Sequence, residues 1–217
     1  MKSFIVIGMG RFGSALAREL TSLGNEVLAV DANEEAISRV ADFVTHAVIG
    51  DAKDENVIRS IGVRNFDCAV VAIAGDIQDS VLITLMLKDL GVKKVIAKAQ
   101  SVMHMRVLER IGADQVVFPE RDMGHRVAQS LSTSNIIDFI ELSENYSIIE
   151  LSCPKKWQGR TLRELNIRAE YGINIIAVRK AEESEVMVSP PATYRLEPGD
   201  VLIVIGGHSE LDELRDL

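Results

Sequence analysis

The sequence has few cysteines and no long apolar run. Its 217 residues include two cysteines, Cys68 and Cys153, and neither has a CxxC partner. Such spacing argues against a disulfide framework or a zinc site. No apolar run reaches the roughly 20 residues that cross a bilayer, and a predicted strand begins within three residues of the N-terminus, which leaves no room for a signal peptide. We therefore expect a cytoplasmic protein.

Aromatic residues and clusters of basic residues are also scarce. Aromatics make up 5% of the chain while hydrophobic residues make up 47%, so the core must consist mostly of Val, Ile, Leu and Ala. That composition suits parallel strands buried between helices. The net charge is −8 and no Lys/Arg-rich run occurs, so a role in nucleic-acid binding is poorly supported.

The most informative segment is a glycine-rich turn between a predicted strand and a predicted helix. The strand Ser3–Ile7 leads directly into Gly8-Met9-Gly10-Arg11-Phe12-Gly13. In this pattern Gly8 permits a tight turn, Gly10 lets backbone amides approach a phosphate, and Gly13 lets the helix pack closely on the strand. The positive end of the helix dipole then faces the anion. The segment predicts a nucleotide-binding site.

A carboxylate at the end of the second predicted strand supports the same site. The strand Glu26–Val30 ends on Asp31, at the spacing from the glycines where an acidic side chain accepts hydrogen bonds from ribose. A carboxylate there favours a free 2′-hydroxyl over a 2′-phosphate, which argues against NADP but does not separate NAD from ATP. The alternative is a structural adaptor whose glycine turn binds nothing.

The order of predicted elements indicates two lobes. Strands and helices alternate with short turns as far as residue 118, which predicts an α/β fold with a Rossmann-like, doubly wound parallel sheet. A long helix over 77–90 is predicted to turn four side chains inward: Val81, Leu82, Leu85 and Met86. Beyond the polar segment Ser132–Asn135 the pattern becomes β-rich. We predict a nucleotide-binding domain over 1–134 and a small α+β lobe over 135–217.

No catalytic apparatus follows the glycine-rich turn. Asp76 and Asp79 follow Gly75 and are predicted to cap and begin the long helix rather than to reach a ligand. The four histidines form no recognisable catalytic pairing and are predicted to lie on the surface: His46, His104, His125 and His208. We therefore predict that the protein is not an enzyme, with a small NAD-dependent oxidoreductase as the alternative.

Charged residues extend the candidate nucleotide site. Arg11 places a guanidinium at the start of the phosphate-binding helix, within reach of a phosphate of its own or a neighbouring subunit. Asp51 and Lys98 follow strands that end at the same sheet edge. Glu120 begins a helix after Pro119, where a carboxylate suits the helix dipole or a cation near phosphate. The alternatives are a solvated arginine and a surface lysine.

Several segments resemble the RCK domain of potassium-transport regulators: Phe4–Gly13, Val30-Asp31, Gly50-Asp51, Ala97–Ala99, Ile111–Asp114 and Pro119–Gly124. The second lobe is similar to the TrkA C-terminal domain through Asn166–Arg168, Tyr171–Ala177 and Glu197–Asp200. One nucleotide-binding lobe followed by one such lobe resembles the regulatory subunits of Ktr potassium transporters.

The resemblance implies a non-catalytic gating subunit that senses ATP and ADP, with NAD(H) as the alternative, and controls potassium flux. It implies dimers that assemble into an octameric ring at the inner face of the membrane, docked to a potassium-translocating subunit of the KtrB/TrkH type. Arg11 would reach the γ-phosphate of a neighbour's ATP, and Glu120 would lie near a divalent cation. The implied nucleotide contacts are Gly8, Gly10, Arg11, Phe12, Gly13, Asp31, Gly50, Asp51, Ala74, Gly75, Lys98 and Glu120.

The resemblance also implies a second ligand. In related proteins the C-terminal lobe binds cyclic di-AMP at a dimer interface, and four residues match that pattern in part: Arg168, Asn174, Ile175 and Pro190. The sequence departs from the pattern at Pro191, which follows Pro190, and in the segment Cys153–Trp157.

Overall fold

A computed structural model describes residues 1–73, 75–132, 136–143, 145–180 and 185–216. The chain forms two compact units, Met1–Glu120 and Arg121–Leu217. The predicted boundary at 134/135 falls on residues outside the described part, so that boundary stays a prediction. In the described residues, no helix combines the length and the apolar character needed to cross a bilayer.

The first unit is built on a six-stranded sheet in the order β3-β2-β1-β4-β5-β6, in which every pairing is parallel. Helices connect the strands, as the sequence predicts for a doubly wound fold. The elements in chain order are β1 (Ser3–Ile7), α1 (Arg11–Ser22), β2 (Glu26–Asp31), α2 (Glu34–Ser38), β3 (His46–Ile49), α3 (Glu55–Ser60), β4 (Cys68–Val71), α4 (Ile77–Asp89), β5 (Val95–Lys98), α5 (Val102–Arg110) and β6 (Gln115–Val117).

The central strands of this unit are buried between two apolar layers. Alternate residues of each central strand point to opposite faces, so Ile5 and Ile7 join one cluster while Val6 joins the other. Cys68 is buried within β4, as predicted for a small core residue, and burial raises the pKa of its thiol. The core is therefore aliphatic, which agrees with the low aromatic content.

Helix α4 buries only part of the predicted face: Val81 and Met86 are partly buried and pack against the core of the first unit. Leu82 and Leu85 are 46% and 41% exposed, although we predicted both to point inward. The buried residues of α4 are Ser80, Ile83, Thr84 and Leu87. The prediction fails because α4 has apolar residues on all sides, so hydrophobic periodicity does not identify the face that packs against the sheet.

His104 is also placed differently from the prediction. It lies on α5, is 1% exposed, and its Nδ1 accepts a hydrogen bond from the backbone amide of Gln100 at 3.3 Å. Among the described residues its Nε2 has no hydrogen-bond partner. Burial lowers the pKa of this imidazole, so the ring is held in its neutral form. His46 and His125 are exposed, as predicted.

The second unit is built on a five-stranded antiparallel sheet in the order β10-β9-β11-β8-β7. Its core surrounds Trp157, which is 1% exposed and packs edge-on against Tyr171. Cys153 is buried beside it, and desolvation raises the pKa of its thiol to about 11. The elements are β7 (Ile136–Glu141), β8 (Tyr146–Ser152), α7 (Leu162–Leu165), α8 (Ile167–Tyr171), β9 (Asn174–Arg179), β10 (Val186–Val188), β11 (Val201–Gly207) and α9 (His208–Asp212). Helix α6 (Pro119–Leu131) precedes them.

The burial of His104 predicts a pH-dependent stability. Its pKa in the folded protein lies below 6.5, the ordinary value, so below about pH 6.5 the unfolded chain binds a proton that the folded chain does not. The free energy of unfolding should therefore fall as the pH drops from 6.5 toward the folded pKa. Urea unfolding from about pH 7.5 to about pH 5 would show this decline, and His104→Gln should reduce its slope. The exposed His125→Gln serves as the control. An unchanged slope in His104→Gln would contradict the prediction.

Candidate nucleotide site

A cavity of about 360 Å³ opens at the carboxyl ends of β1, β2, β3 and β4. This is the edge where a doubly wound sheet binds its ligand, at the point where the strand order reverses between β1 and β4. Residues that follow each of the four strands line it, together with the first turns of α4: Ile7, Gly8, Gly10, Val30, Asp31, Ala32, Gly50, Asp51, Ala52, Lys53, Ala72, Ile73, Gly75, Asp79 and Ile83.

The three glycines of the glycine-rich turn lie in different local environments. Gly8 has φ +97°, a left-handed conformation, and its amide donates to the carbonyl oxygen of Val30 at 2.8 Å. A Cβ on Gly13 would overlap the carbonyl oxygen of Gly8, so only glycine lets α1 approach β1 this closely. Gly10 is different: its backbone is extended, and a Cβ there would meet no atom of the described residues within 4 Å. Packing against the described part of the chain does not require Gly10 to be glycine.

Asp31 is held in place by the backbone around it. Its Oδ2 accepts a hydrogen bond from the amide of Met9 at 2.6 Å, and its Oδ1 accepts from the amide of Asn33 at 2.8 Å. The first bond ties the end of β2 to the glycine-rich turn. Each carboxylate oxygen can accept more than one hydrogen bond, so a fixed Asp31 retains capacity for a ribose hydroxyl.

The far side of the cavity carries an ion-pair bridge. Lys53 Nζ lies 3.2 Å from Asp79 Oδ2 and 3.8 Å from Asp51 Oδ2. Asp76 caps α4 by accepting from the amide of Gln78 at 2.7 Å, as the sequence predicts. Asp79 lies in the first turn of α4 as predicted, but it also lines the cavity, which the sequence gives as the less favoured alternative.

A second group of charges stands at the N-terminus of α1. Lys98, whose side chain is 7% exposed, donates to Glu120 Oε1 at 2.6 Å, and its ammonium lies 5.7 Å from the centre of the Phe12 ring. The hydrogen bond from Lys98, with a smaller contribution from the charge of Arg11, lowers the pKa of Glu120. Arg11 is exposed. The structure therefore gathers Arg11, Phe12, Lys98 and Glu120 into one cluster.

These residues do not by themselves form a site for a divalent cation. The carboxylate of Glu120 is already paired with Lys98 at 2.6 Å. No group of three or more His, Cys, Asp or Glu side chains in the described parts of the chain is arranged to hold a metal ion. Glu120 as a cation ligand stays a prediction.

The second unit has a cavity of about 370 Å³ beside α7, α8 and β9. It brings together the four residues predicted for a second ligand, Arg168, Asn174, Ile175 and Pro190, which come from three separate segments. The other lining residues are Leu162, Arg163, Asn166, Ile167, Ile173 and Ala192. Two arginines and two asparagines among apolar residues suit an anionic ligand with planar bases.

Most of the sequence-predicted nucleotide contacts meet at the first cavity or beside it. Gly8, Gly10, Asp31, Gly50, Asp51 and Gly75 line the cavity. Gly13 lies beneath the turn, packed on Gly8, and Ala74 lies outside the described residues. Sequence reasoning missed Lys53 as a site residue. Its position two residues after Asp51 was the available signal.

The chain matches two domain families in succession. The TrkA-N domain matches residues 4–119, and the TrkA-C domain matches residues 148–217. The chain is 46% identical over 210 residues to Ktr system potassium uptake protein C of Bacillus subtilis. It is 43% identical over 210 residues to Ktr system potassium uptake protein A of the same organism. Each alignment covers 97% of this chain and 94% of the relative.

Solved structures share the fold. The RCK domain of GsuK superposes with a TM-score of 0.70 at 22% identity, over 100% of this chain and 47% of that one. The NAD(P)-binding domain of an exopolyphosphatase-related protein from Archaeoglobus fulgidus matches with a TM-score of 0.54 at 28% identity, over 61% of this chain and 98% of that one. GsuK bound to ADP matches with a TM-score of 0.51 at 21% identity, over 57% and 32%.

The near-full-length matches confirm the resemblance that the sequence motifs indicate. The order of the two domains, the six-stranded parallel sheet and the antiparallel second lobe all agree with it. The chain therefore belongs to the RCK family of Ktr-type potassium-uptake proteins, whose subunits are non-catalytic.

Proposed function

We propose that this protein is the nucleotide-sensing regulatory subunit of a membrane potassium transporter, and that ATP and ADP bind in the cavity at the carboxyl ends of β1 to β4. Gly10 carries the proposal. Among the described residues no packing contact requires glycine there, yet Gly10 lines the cavity at the start of α1. A phosphate that approaches the backbone at this point would explain the residue.

The charges around the cavity suggest how a nucleotide would lie. Asp31 would accept from the ribose, and the α1 amides would face the phosphates. Beyond them, Arg11 and Lys98 supply positive charge on the side where terminal phosphates would extend. NAD(H) is the alternative ligand, because Asp31 suits any adenosine with a free 2′-hydroxyl and a relative of similar fold is an NAD(P)-binding domain.

Exposed apolar faces support an assembly of several copies. Leu82 and Leu85 on α4, and Val102 and Met103 on α5, are between 41% and 67% exposed. Met123, Val127 and Leu131 form another exposed stripe on α6. Contiguous apolar surface of this kind marks a protein contact. We propose dimers that form an octameric ring docked to a potassium-translocating membrane subunit of the KtrB/TrkH type, on the cytoplasmic side.

The substitution Gly10→Ala should weaken nucleotide binding and leave the fold intact. Its Cβ would enter open space inside the cavity, where a phosphate would have to come close. Titration of Gly10→Ala with ADP should show an affinity at least about tenfold lower than that of the wild-type protein, which is the scale of a lost charge-assisted hydrogen bond. The melting temperature should not change. Gly124→Ala on α6, also with open space around its Cβ, is the control.

Gly13→Ala should instead lower the stability of the folded protein. Its Cβ would overlap the Gly8 carbonyl oxygen, so we expect the free energy of unfolding to fall by about 1–3 kcal/mol.

If the wild-type protein binds ADP and Gly10→Ala binds it equally well, the role proposed for Gly10 is wrong. A wild-type protein that binds no adenine nucleotide, or that oxidises NADH with carbonyl substrates, would overturn the proposed function.

Arg11 should discriminate ATP from ADP in the assembled protein. Its exposed guanidinium at the start of α1 suits the third phosphate of a nucleotide held by a neighbouring copy. We expect Arg11→Ala to lower ATP affinity about tenfold, the effect of losing a hydrogen bond to a charged group, while ADP affinity changes little. Calorimetry on assemblies of verified mass measures both affinities, and Arg18→Ala on the same helix is the control. An unchanged ATP/ADP ratio would exclude this role.

The second cavity should bind cyclic di-AMP. Arg168 would contact a phosphate, and Asn174 with Ile175 and Pro190 would hold the base. Arg168→Ala should weaken cyclic di-AMP binding about tenfold and leave ADP binding unchanged, as measured by parallel titrations. Lys155→Ala, which removes an exposed cation outside this cavity, should leave both affinities intact. If Arg168→Ala binds cyclic di-AMP normally, the assignment of this cavity is wrong.

A further inference from the structure

Lys53 joins two segments that are distant in the sequence across the mouth of the nucleotide cavity. It lies in the segment between β3 and α3, and its ammonium reaches Asp79 in the first turn of α4 at 3.2 Å and Asp51 at 3.8 Å. The Lys53 side chain is 43% exposed and that of Asp79 is 29% exposed. All three side chains line the cavity.

The charge distribution explains why a lysine is held there. Three carboxylates line the cavity, those of Asp31, Asp51 and Asp79, and among its described lining residues Lys53 is the one basic side chain. The hydrogen bond to Asp79, and then the charges of Asp51 and Asp79, raise the pKa of Lys53. The lysine therefore stays charged at neutral pH, between two acidic groups that would otherwise repel each other.

We propose that Lys53 is a positioning residue for the adenosine end of a bound nucleotide. Its ammonium ties the segment after β3 to the first turn of α4, and so holds Asp51 where its carboxylate faces the adenosine. We call Asp51, Lys53 and Asp79 together the strap. This inference deepens the proposed function and rests on it.

The strap leaves room for a ligand. The cavity measures about 360 Å³ with both ion pairs formed, which is within the range of small-molecule sites. On this proposal a nucleotide enters beside the strap, and the strap retains the nucleotide by holding two walls of the cavity together. Its loss should act mainly on the dissociation rate.

An alternative account is simple charge compensation, in which Lys53 only offsets the nearby carboxylates. The two accounts predict opposite effects on nucleotide affinity when the Asp79 carboxylate is removed. Removal of Asp79 breaks the strap and should weaken binding, whereas under charge compensation it removes a negative charge and should tighten the binding of an anionic nucleotide. They differ again with adenosine, which has no phosphate and no net charge.

The experiment measures dissociation rates and affinities of ADP and adenosine for the full chain and its variants. We expect Lys53→Ala and Asp79→Ala each to raise the dissociation rate of both ligands about threefold, the scale of a partly exposed ion pair. The double variant should be no worse than either single one, and Lys53→Arg should restore slow dissociation. Lys93→Ala is the matched control, because Lys93 pairs with Asp67 at the same 3.2 Å outside the cavity.

Other results would contradict the role of the strap. Tighter ADP binding by Asp79→Ala, or an effect of Lys53→Ala on ADP but not on adenosine, would overturn the strap in favour of charge compensation. Wild-type rates in both single variants would also overturn it. Failure of the wild-type protein to bind any adenine nucleotide would refute the proposed function and the strap together. Melting temperatures of all variants separate these outcomes from unfolding.

Discussion

The close approach of α1 to the end of β1 is the constraint on which the nucleotide site depends. Gly13 packs against the carbonyl oxygen of Gly8, and Gly8 itself takes a left-handed conformation against the backbone of Ala72. The first turn of the helix is thereby fixed above the ends of β1 and β4. Asp31 then holds the turn from the other side through the amide of Met9. The cavity follows from these contacts.

The charges around the site are unevenly distributed, and under the proposed function this distribution would give a bound nucleotide one orientation. Carboxylates dominate the end formed by β2, β3 and α4, where Lys53 offsets only part of their charge. Arg11 and Lys98 lie outside the cavity lining, beside the N-terminus of α1. A ligand with a neutral, hydrogen-bonding end and an anionic end fits this arrangement in one direction. Adenine nucleotides have that form, and so does the adenosine half of NAD.

The sequence predicts the parts of this site that depend on local geometry. Gly8, Gly10 and Asp31 are identifiable because parallel strands end at one edge: the two glycines follow β1, and Asp31 ends β2. The pairing of Lys53 with Asp79 is not identifiable in this way, since it depends on how two distant segments meet. The buried face of α4 fails for a related reason: its helix is apolar all round, and tertiary packing selected Ser80 and Thr84 over Leu82 and Leu85.

That same helix relates the cavity to the surface. Asp79 in its first turn faces the cavity, while Leu82 and Leu85 on the next turns face outward. A ligand that contacts the first turn and a partner that covers the apolar face would therefore act on a single helix of 13 residues. Two ligands that differ by one phosphate regulate an assembly only through different affinities for its conformations. By linkage, an arrangement of subunits that favours one nucleotide is itself favoured by that nucleotide to the same extent.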